Sequence, residues 1–344
     1  MNSNKENKVL LVLKVALGTA AVCAALMSCQ NENILVDDEY GQGAQTIDFA
    51  SGFVDSRVLT KADPVNLEQY NTTMGVWGWR SDSEVTDELT FKNQLVEFVD
   101  TKWTYTPPKY WASKSNYRFY AYSPQTSAAA IDQASGYISL PGIKTDGTDW
   151  MVARSGQKVK TLATGYTVEF TMQHILFKLE VRARVTDAVA ADPGVVSVVM
   201  DKVQIGDFIS KGDFSQKFDY QPSGSEYASE WTLDEMAAKS EFKNLKNNVL
   251  AKTYTSLIDT MSVPQPMTDD MDLLVTYKMT FSDGRVENYI FKNSLKDIFG
   301  ATSGMDLLGG NSYRISLIIG PETITFDAGS QVWVEQVESS EIIE

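Results

Sequence analysis

YTVEFTMQHILFKLEVRARV, residues 166–185, decides the fold. Tyr166, Val168, Phe170 and Met172 put apolar side chains on even positions. Ile175, Phe177, Leu179, Val181 and Val185 put them on odd positions. Period-two alternation marks a β-strand with one buried face. A strand cannot change that face without a bulge or a passage into another sheet. One unbroken strand of this length would reach ~66 Å at ~3.3 Å per residue, too long for a compact domain. A break is therefore expected at Gln173-His174.

Working outward, β patterns dominate on both sides. GVWGW (75–79) is short and aromatic, and IDQASGYISLP (131–141) reads as part of a hairpin. In WTYTPPKYWASKSNYRFYAYSP (103–124), Tyr117, Phe119 and Ala121 share one parity and Arg118, Tyr120 and Tyr122 the other. LLVTYKMTFSDGRVENYIFK (273–292) predicts a hairpin turning at Asp283-Gly284. Thr232 with Glu235 fits a capping box and predicts a short helix within residues 229–248. SLKDIF (294–299) predicts one or two helical turns. YRISLIIGPETITFDAGSQVWVEQVE (313–338) predicts two or three strands, split at Gly320-Pro321 and Ala328-Gly329. The small, turn-rich residues 186–194 are the expected boundary between two domains. The fold class is all-β, two β-sandwich domains in tandem with minor helix in the second.

The N-terminus carries a different signal. Lys5 and Lys8 precede an apolar run that ends in Leu26-Met27-Ser28-Cys29. This is the anatomy of a secretory signal, and Leu-Met-Ser-Cys resembles a bacterial lipobox in which the cysteine is acylated. The uninterrupted apolar part, Val15 to Met27, falls short of the ~20 residues of a membrane span. The chain has two cysteines, Cys23 and Cys29. The first would leave with residues 1–28 and the second would carry lipid, so no disulfide is expected. Residues 29–57 read as a leader: a polar tether over 30–45, then a strand from Thr46 to about Val54 with Ile47, Phe49 and Phe53 as its apolar positions. Arg57 follows it. Residues 58–186 and 187–344 form the two expected domains.

Charge narrows the function. The 344 residues carry −15, and residues 1–28 contribute Lys5, Lys8, Lys14 and Glu6, so the chain from Cys29 onward carries −17. Nucleic-acid binding needs clustered cations to displace counterions, and is not expected. The single histidine, His174, sits in the middle of the apolar strand pattern, without the partners that catalysis or zinc would need. It reads as a structural histidine hydrogen-bonded at the break. No nucleophile, phosphate-loop or dinucleotide motif is present. Asp37-Asp38-Glu39 and Asp269-Asp270 with Asp272 lack the spacing of a calcium loop and read as solvated charge. No enzyme activity, metal or cofactor is expected. Trp77, Trp79, Trp103, Tyr105, Tyr110 and Trp111 crowd into a short span. They read as core and rim of a sandwich. The competing reading is an exposed platform on which a monomeric surface lipoprotein holds glycan.

Several blocks, taken together, resemble the fimbrillin-like proteins of Bacteroidales. WTYTPPKYWASKSNYRFYAYSP is similar to that family's aromatic block. Thr148-Asp149-Trp150-Met151-Val152-Ala153, Phe170 with Gln173-His174-Ile175-Leu176-Phe177-Lys178-Leu179, and Gly310-Asn311-Ser312-Tyr313-Arg314-Ile315-Ser316-Leu317 follow in the family's order. The resemblance implies two transthyretin-like β-sandwich domains in a fimbrium subunit serving adhesion and biofilm formation. It implies export as an outer-membrane lipoprotein and removal of the leader with its first strand by a cell-surface arginine-specific protease. The opened groove would then take a strand from another fimbrium subunit. In this sequence the implied bond is Arg57-Val58, with Lys61-Ala62 as the alternative. The candidate donor is residues 323–338, with Ile324, Phe326, Val332 and Val334 as pocket fillers. Stalk, tip and anchor subunits differ at their ends, and a leader strand together with a donor strand suits a stalk or accessory subunit.

Overall fold

The computed structural model describes residues 45–50, 53–54, 66–83, 86–112, 115–154, 159–160, 167–217, 229–300, 306–321 and 323–332. Strands dominate. The α-helices among the described residues, Asp187–Ala191 and Leu295–Ile298, both fall in the second half. Thr186 and Ser294 cap them, their hydroxyls accepting from Val189 N and Asp297 N.

The parity switch is a change of sheet. Thr171–His174 pairs with Met151–Arg154 in the N-terminal sheet. Phe177–Val185 runs parallel to Asn311–Ile319 and antiparallel to Thr255–Ser262. Gln173 and His174, where the break is expected, are still paired in the first strand; Ile175 and Leu176 make the crossing, and the buried face changes because the core it faces changes. The sheets thus part at 175–176, ahead of the turn at 186–194, where the sequence places a domain boundary. The strand with the stronger alternation, Phe177–Val185, joins the C-terminal strands because its partners lie there.

The N-terminal sheet is centred on Thr73–Ser81, between Glu88–Val99 and Asn116–Ser123. On one side it continues through Lys102–Thr104 and Asp48–Phe49 to Thr167–Val168. On the other it continues through Met151–Arg154 and Thr171–His174 to Phe53–Val54. Both ends are built from the same two chain segments, 48–54 and 167–174, so the sheet curls back toward its own start. Its central strands are buried on both faces. Met74, Val76, Tyr117, Phe119 and Ala121 fill the inside of the curl. Trp77, Trp79, Tyr120 and Tyr122 face a smaller sheet made of Ala130–Asp132, Tyr137–Lys144, Lys211–Lys217 and Ser229–Leu233. The two glycines of GVWGW are required by this crowding. A Cβ on Gly75 would stand 2.3 Å from the Tyr122 ring, and one on Gly78 2.8 Å from the rings of Phe91 and Phe119.

The C-terminal half is a sandwich. One sheet has the order Thr255–Ser262, Phe177–Val185, Asn311–Ile319, Ile324–Val332. The other runs Lys239–Asn244, Val195–Ile209, Asp272–Phe281, Val286–Ser294. Their inward residues form one core that includes Leu179, Val181, Met200, Ile205, Val275 and Ile315. The expected hairpin at Asp283-Gly284 is present, with Gly284 at φ 86°.

Two local expectations are corrected. No helix forms within 229–248, where Ser229–Leu233 pairs with Lys211–Lys217 and Lys239–Asn244 with Val195–Ile209. Trp231 and Leu233 pack on an apolar cluster from that strand, and tertiary pairing outweighs a four-residue capping pattern. Nor does the chain split at Ala328-Gly329. Ile324–Val332 runs through both residues in unbroken register with Asn311–Ile319.

Candidate functional site

Where one leader strand from Thr46 to about Val54 is expected, the described residues form two short strands, Asp48–Phe49 and Phe53–Val54, and Ile47 and Phe49 of the first part lie inside the N-terminal core. Its alternation sets the orientation: Ile47 is 1% and Phe49 5% exposed, with Asp48 outward between them. The backbone is held on both sides. Phe49 pairs antiparallel with Trp103 and parallel with Val168. Ile47 N donates to Lys109 O at 2.8 Å, Ala50 N to Val168 O at 2.9 Å, and Trp111 N to Gln45 O at 3.0 Å. Further along, Phe53 and Val54 run parallel beside Thr171 and Met172.

Phe49 sits in an aromatic cage. Phe91 and Phe119 meet its ring edge-on at 5.6 and 5.8 Å, Tyr105 lies tilted at 5.6 Å, and Phe170 stacks at 5.8 Å. Edge-to-face and offset rings add attraction beyond area burial. Tyr105 also donates its hydroxyl to Ile47 O at 2.7 Å. Burial pushes that hydroxyl up to about 12, so it stays protonated, as a donor must. The sequence identified Ile47 and Phe49 as strand residues but did not single out this receptor. Its parts, Phe91, Tyr105, Phe119 and Phe170, come from separate strands and loops, and only their aromatic character was visible.

The candidate donor strand is placed differently. Among the described residues Ile324–Val332 is the edge of its sheet, paired with Asn311–Ile319 alone. Ile324 and Phe326 are half-buried, and Phe326 meets Phe291 of the opposite sheet at 4.6 Å. Thr325 and Asp327 face outward. Cys29, Arg57, Val58, Lys61, Ala62 and Val334 lie outside the described residues, and Val332 is placed by its backbone pairing with Asn311.

His174 is structural in position. Its side chain is 2% exposed, and its Nδ1 stands 3.0 Å from Asp149 Oδ1. Asn71 Nδ2 donates to Asp149 O at 2.9 Å, and the Tyr70 ring meets the imidazole edge-on. Two of the sequence blocks are thereby joined, the Asp of TDWMVA and the His of QHILFKL. A lone buried histidine implies a polar partner, which could have pointed to Asp149 beforehand.

The aromatic cluster does not form a platform. Trp77 and Trp79 are each 2% exposed in one core, and Trp103 and Trp111 are buried in another. Of the acidic group at 269–272, Asp269 is bound to Lys296 Nζ at 2.7 Å and Asp272 to Lys292 Nζ at 2.6 Å. Among the described residues no group of acidic, histidine or cysteine side chains could hold a metal ion. Nor is any helix among them long and apolar enough to cross a membrane.

Solved structures were compared with this architecture. A fimbrial protein from Bacteroides vulgatus ATCC 8482 aligns with TM-score 0.54 at 12% identity, covering 84% of this chain and 99% of that one. A protein assigned to cell adhesion, from Bacteroides ovatus ATCC 8483, aligns with TM-score 0.49 at 14% identity over 86% of this chain and 99% of its own. The fimbrial anchor protein Mfa2 from Porphyromonas gingivalis aligns with TM-score 0.34 at 11% identity over 84% and 98%. The first is similar enough to show a common fold. No curated protein matches the chain in sequence. The model of one protein family, described as fimbrillin-like, matches residues 60–332. With most of its length inside that match, this chain belongs to the fimbrillin-like family.

Proposed function

We propose that this protein is a subunit of a cell-surface fimbrium whose leader strand holds its acceptor groove shut until proteolysis. The observation that carries this reading is the seat of Ile47 and Phe49. They are the deepest residues of a segment joined to the rest of the chain through the Arg57 region, yet every ring around Phe49 comes from later in the sequence. Residues so placed are part of the fold before a cut and separable from it afterward.

The precursor is exported by residues 1–28 and anchored in the outer membrane through lipid on Cys29. An arginine-specific surface protease cuts at Arg57-Val58, or alternatively at Lys61-Ala62. Loss of the leader exposes the Phe49 cage and two rows of unpaired backbone groups, and an unpaired strand slot is a template for another strand. The C-terminal strand of a neighbouring subunit, with Ile324, Phe326, Val332 and Val334, fills it by β-strand addition. Head-to-tail contact of this kind does not close, so it builds a filament that serves adhesion and biofilm formation.

The test is a double variant, Arg57→Ala with Lys61→Ala, expressed in a fimbriated host. It is expected to reach the surface and stay out of the heat-labile polymer ladder that the unaltered chain joins. Entry of the variant into that ladder at the normal level would rule out cleavage at these bonds as the trigger. Cys29→Ala is expected to release the precursor from the membrane fraction.

A further inference from the structure

Two segments at opposite ends of the described chain carry one pattern. The leader reads Thr46-Ile47-Asp48-Phe49-Ala50-Ser51-Gly52, and the C-terminal strand reads Thr323-Ile324-Thr325-Phe326-Asp327-Ala328-Gly329. Thr, Ile, Phe and Gly occupy the same places in both. The facing agrees as well. Ile47 and Phe49 point inward around an exposed Asp48, and Ile324 and Phe326 point inward around an exposed Thr325. Because side chains alternate along a strand, two strands with the same inward residues at the same spacing can enter the same pockets.

We propose that the C-terminal strand of a second copy of this chain replaces the leader in matched register, with Phe326 in the Phe49 cage and Ile324 in the place of Ile47. This rests on the strand-exchange reading above and adds to it a partner and a register. The backbone contacts of the slot are blind to sequence, since Lys109 O, Val168 O and the Tyr105 hydroxyl meet main-chain atoms alone. Selection therefore falls on the side chains, and the ring cage is the most demanding seat. Smaller residues at that position leave a void between Phe91, Phe119 and Phe170.

The home position of the donor is the poorer one. There Ile324 and Phe326 are half-buried and, among the described residues, the strand has one paired neighbour. In the slot the leader residues are covered and paired on both sides. A donor running in the leader's direction lies parallel to Thr167–Val168 and antiparallel to Lys102–Thr104. In this register Ile324 and Phe326 do the seating, and Val332 falls beyond the leader's paired residues.

The experiment uses the full chain, purified from Cys29 onward and cleaved after Arg57 by an arginine-specific protease, with labelled synthetic peptides present. The peptide of residues 322–332 should be retained and should compete with the peptide of residues 45–54. Phe326→Ala in the peptide should weaken retention at least ~100-fold, the loss expected for emptying an aromatic seat. Thr325→Ala should change it by less than about threefold. A peptide with benzoylphenylalanine in place of Phe326 should crosslink to Phe91, Phe119 or Phe170. Retention that is indifferent to Phe326→Ala, or crosslinks elsewhere, would overturn the register while leaving strand exchange intact. Failure of both the 322–332 and the 45–54 peptides to be retained would overturn strand exchange itself.

Discussion

The leader strand and the C-terminal strand are alike in sequence and unlike in setting. Ile47 and Phe49 are sealed in a core with strands on either side. Ile324 and Phe326 lie half-covered on an edge. The difference separates two properties that are easily confused. A strand's residues say which pocket it suits, and its neighbours say how firmly it is held. In the proposed assembly the firmly held strand is the one that a covalent cut releases, and the edge strand is the one that is exchanged. An open edge is also a standing invitation to pairing, and here outward Thr325 and Asp327 blunt it.

The largest contrast should come from paired truncations in the uncut chain. Phe49→Ala should cost about 3–5 kcal/mol, as for a buried ring whose cavity cannot collapse. Phe326→Ala should cost roughly 1–2 kcal/mol, because it is half-covered at home. Urea unfolding followed by tryptophan fluorescence reads both, and equal losses would dissolve the contrast.

A smaller effect tests the anchor beside the slot. Asp149→Ala removes the partner of buried His174 and should cost about 2 kcal/mol. His174 ends the strand that pairs with Phe53–Val54. Hydrogen exchange at Thr171–His174 should therefore quicken in this variant, while exchange in Ile324–Val332 stays as it was. Tyr105→Phe leaves the Ile47 carbonyl without its 2.7 Å donor and should cost about 1 kcal/mol. Its clearest readout is faster loss of the leader after cutting after Arg57.

The smallest effect is confined to alkaline solution. Burial raises the Tyr105 and Tyr122 hydroxyls from 10.0 to about 12. A raised folded value means that their stabilising contribution is complete below pH 10 and is lost as pH climbs toward 12. Tyr105 holds the Ile47 carbonyl, so the leader slot should loosen in that window. Tyr105→Phe with Tyr122→Phe should remove the N-terminal share of the dependence and leave that of Tyr289, whose hydroxyl is raised to about 12 by its hydrogen bond to Glu287.

The sequence made the strands legible wherever alternation was long. Residues 177–185 and 273–292 needed nothing else, because one buried face repeats along each. It was poorer where partners decide. Residues 229–248 carry helix-start chemistry, yet pairing with distant strands makes them β. The parity switch at Gln173-Leu176 was visible, but that it marks a passage between sheets depended on which strands lay beyond it. The candidate site was half legible. Ile47 and Phe49 stood out by spacing, whereas the cage around them is assembled from residues 91 to 170 and has no local signature.

The most direct measurement is the N-terminal sequence of the form recovered from the cell surface. A start at Val58, or at Ala62, is the predicted result, because the leader strand is then gone and its slot open to a neighbour. An acylated Cys29 as the sole N-terminus would mean that Ile47 and Phe49 stay in place. That result would contradict assembly through this slot.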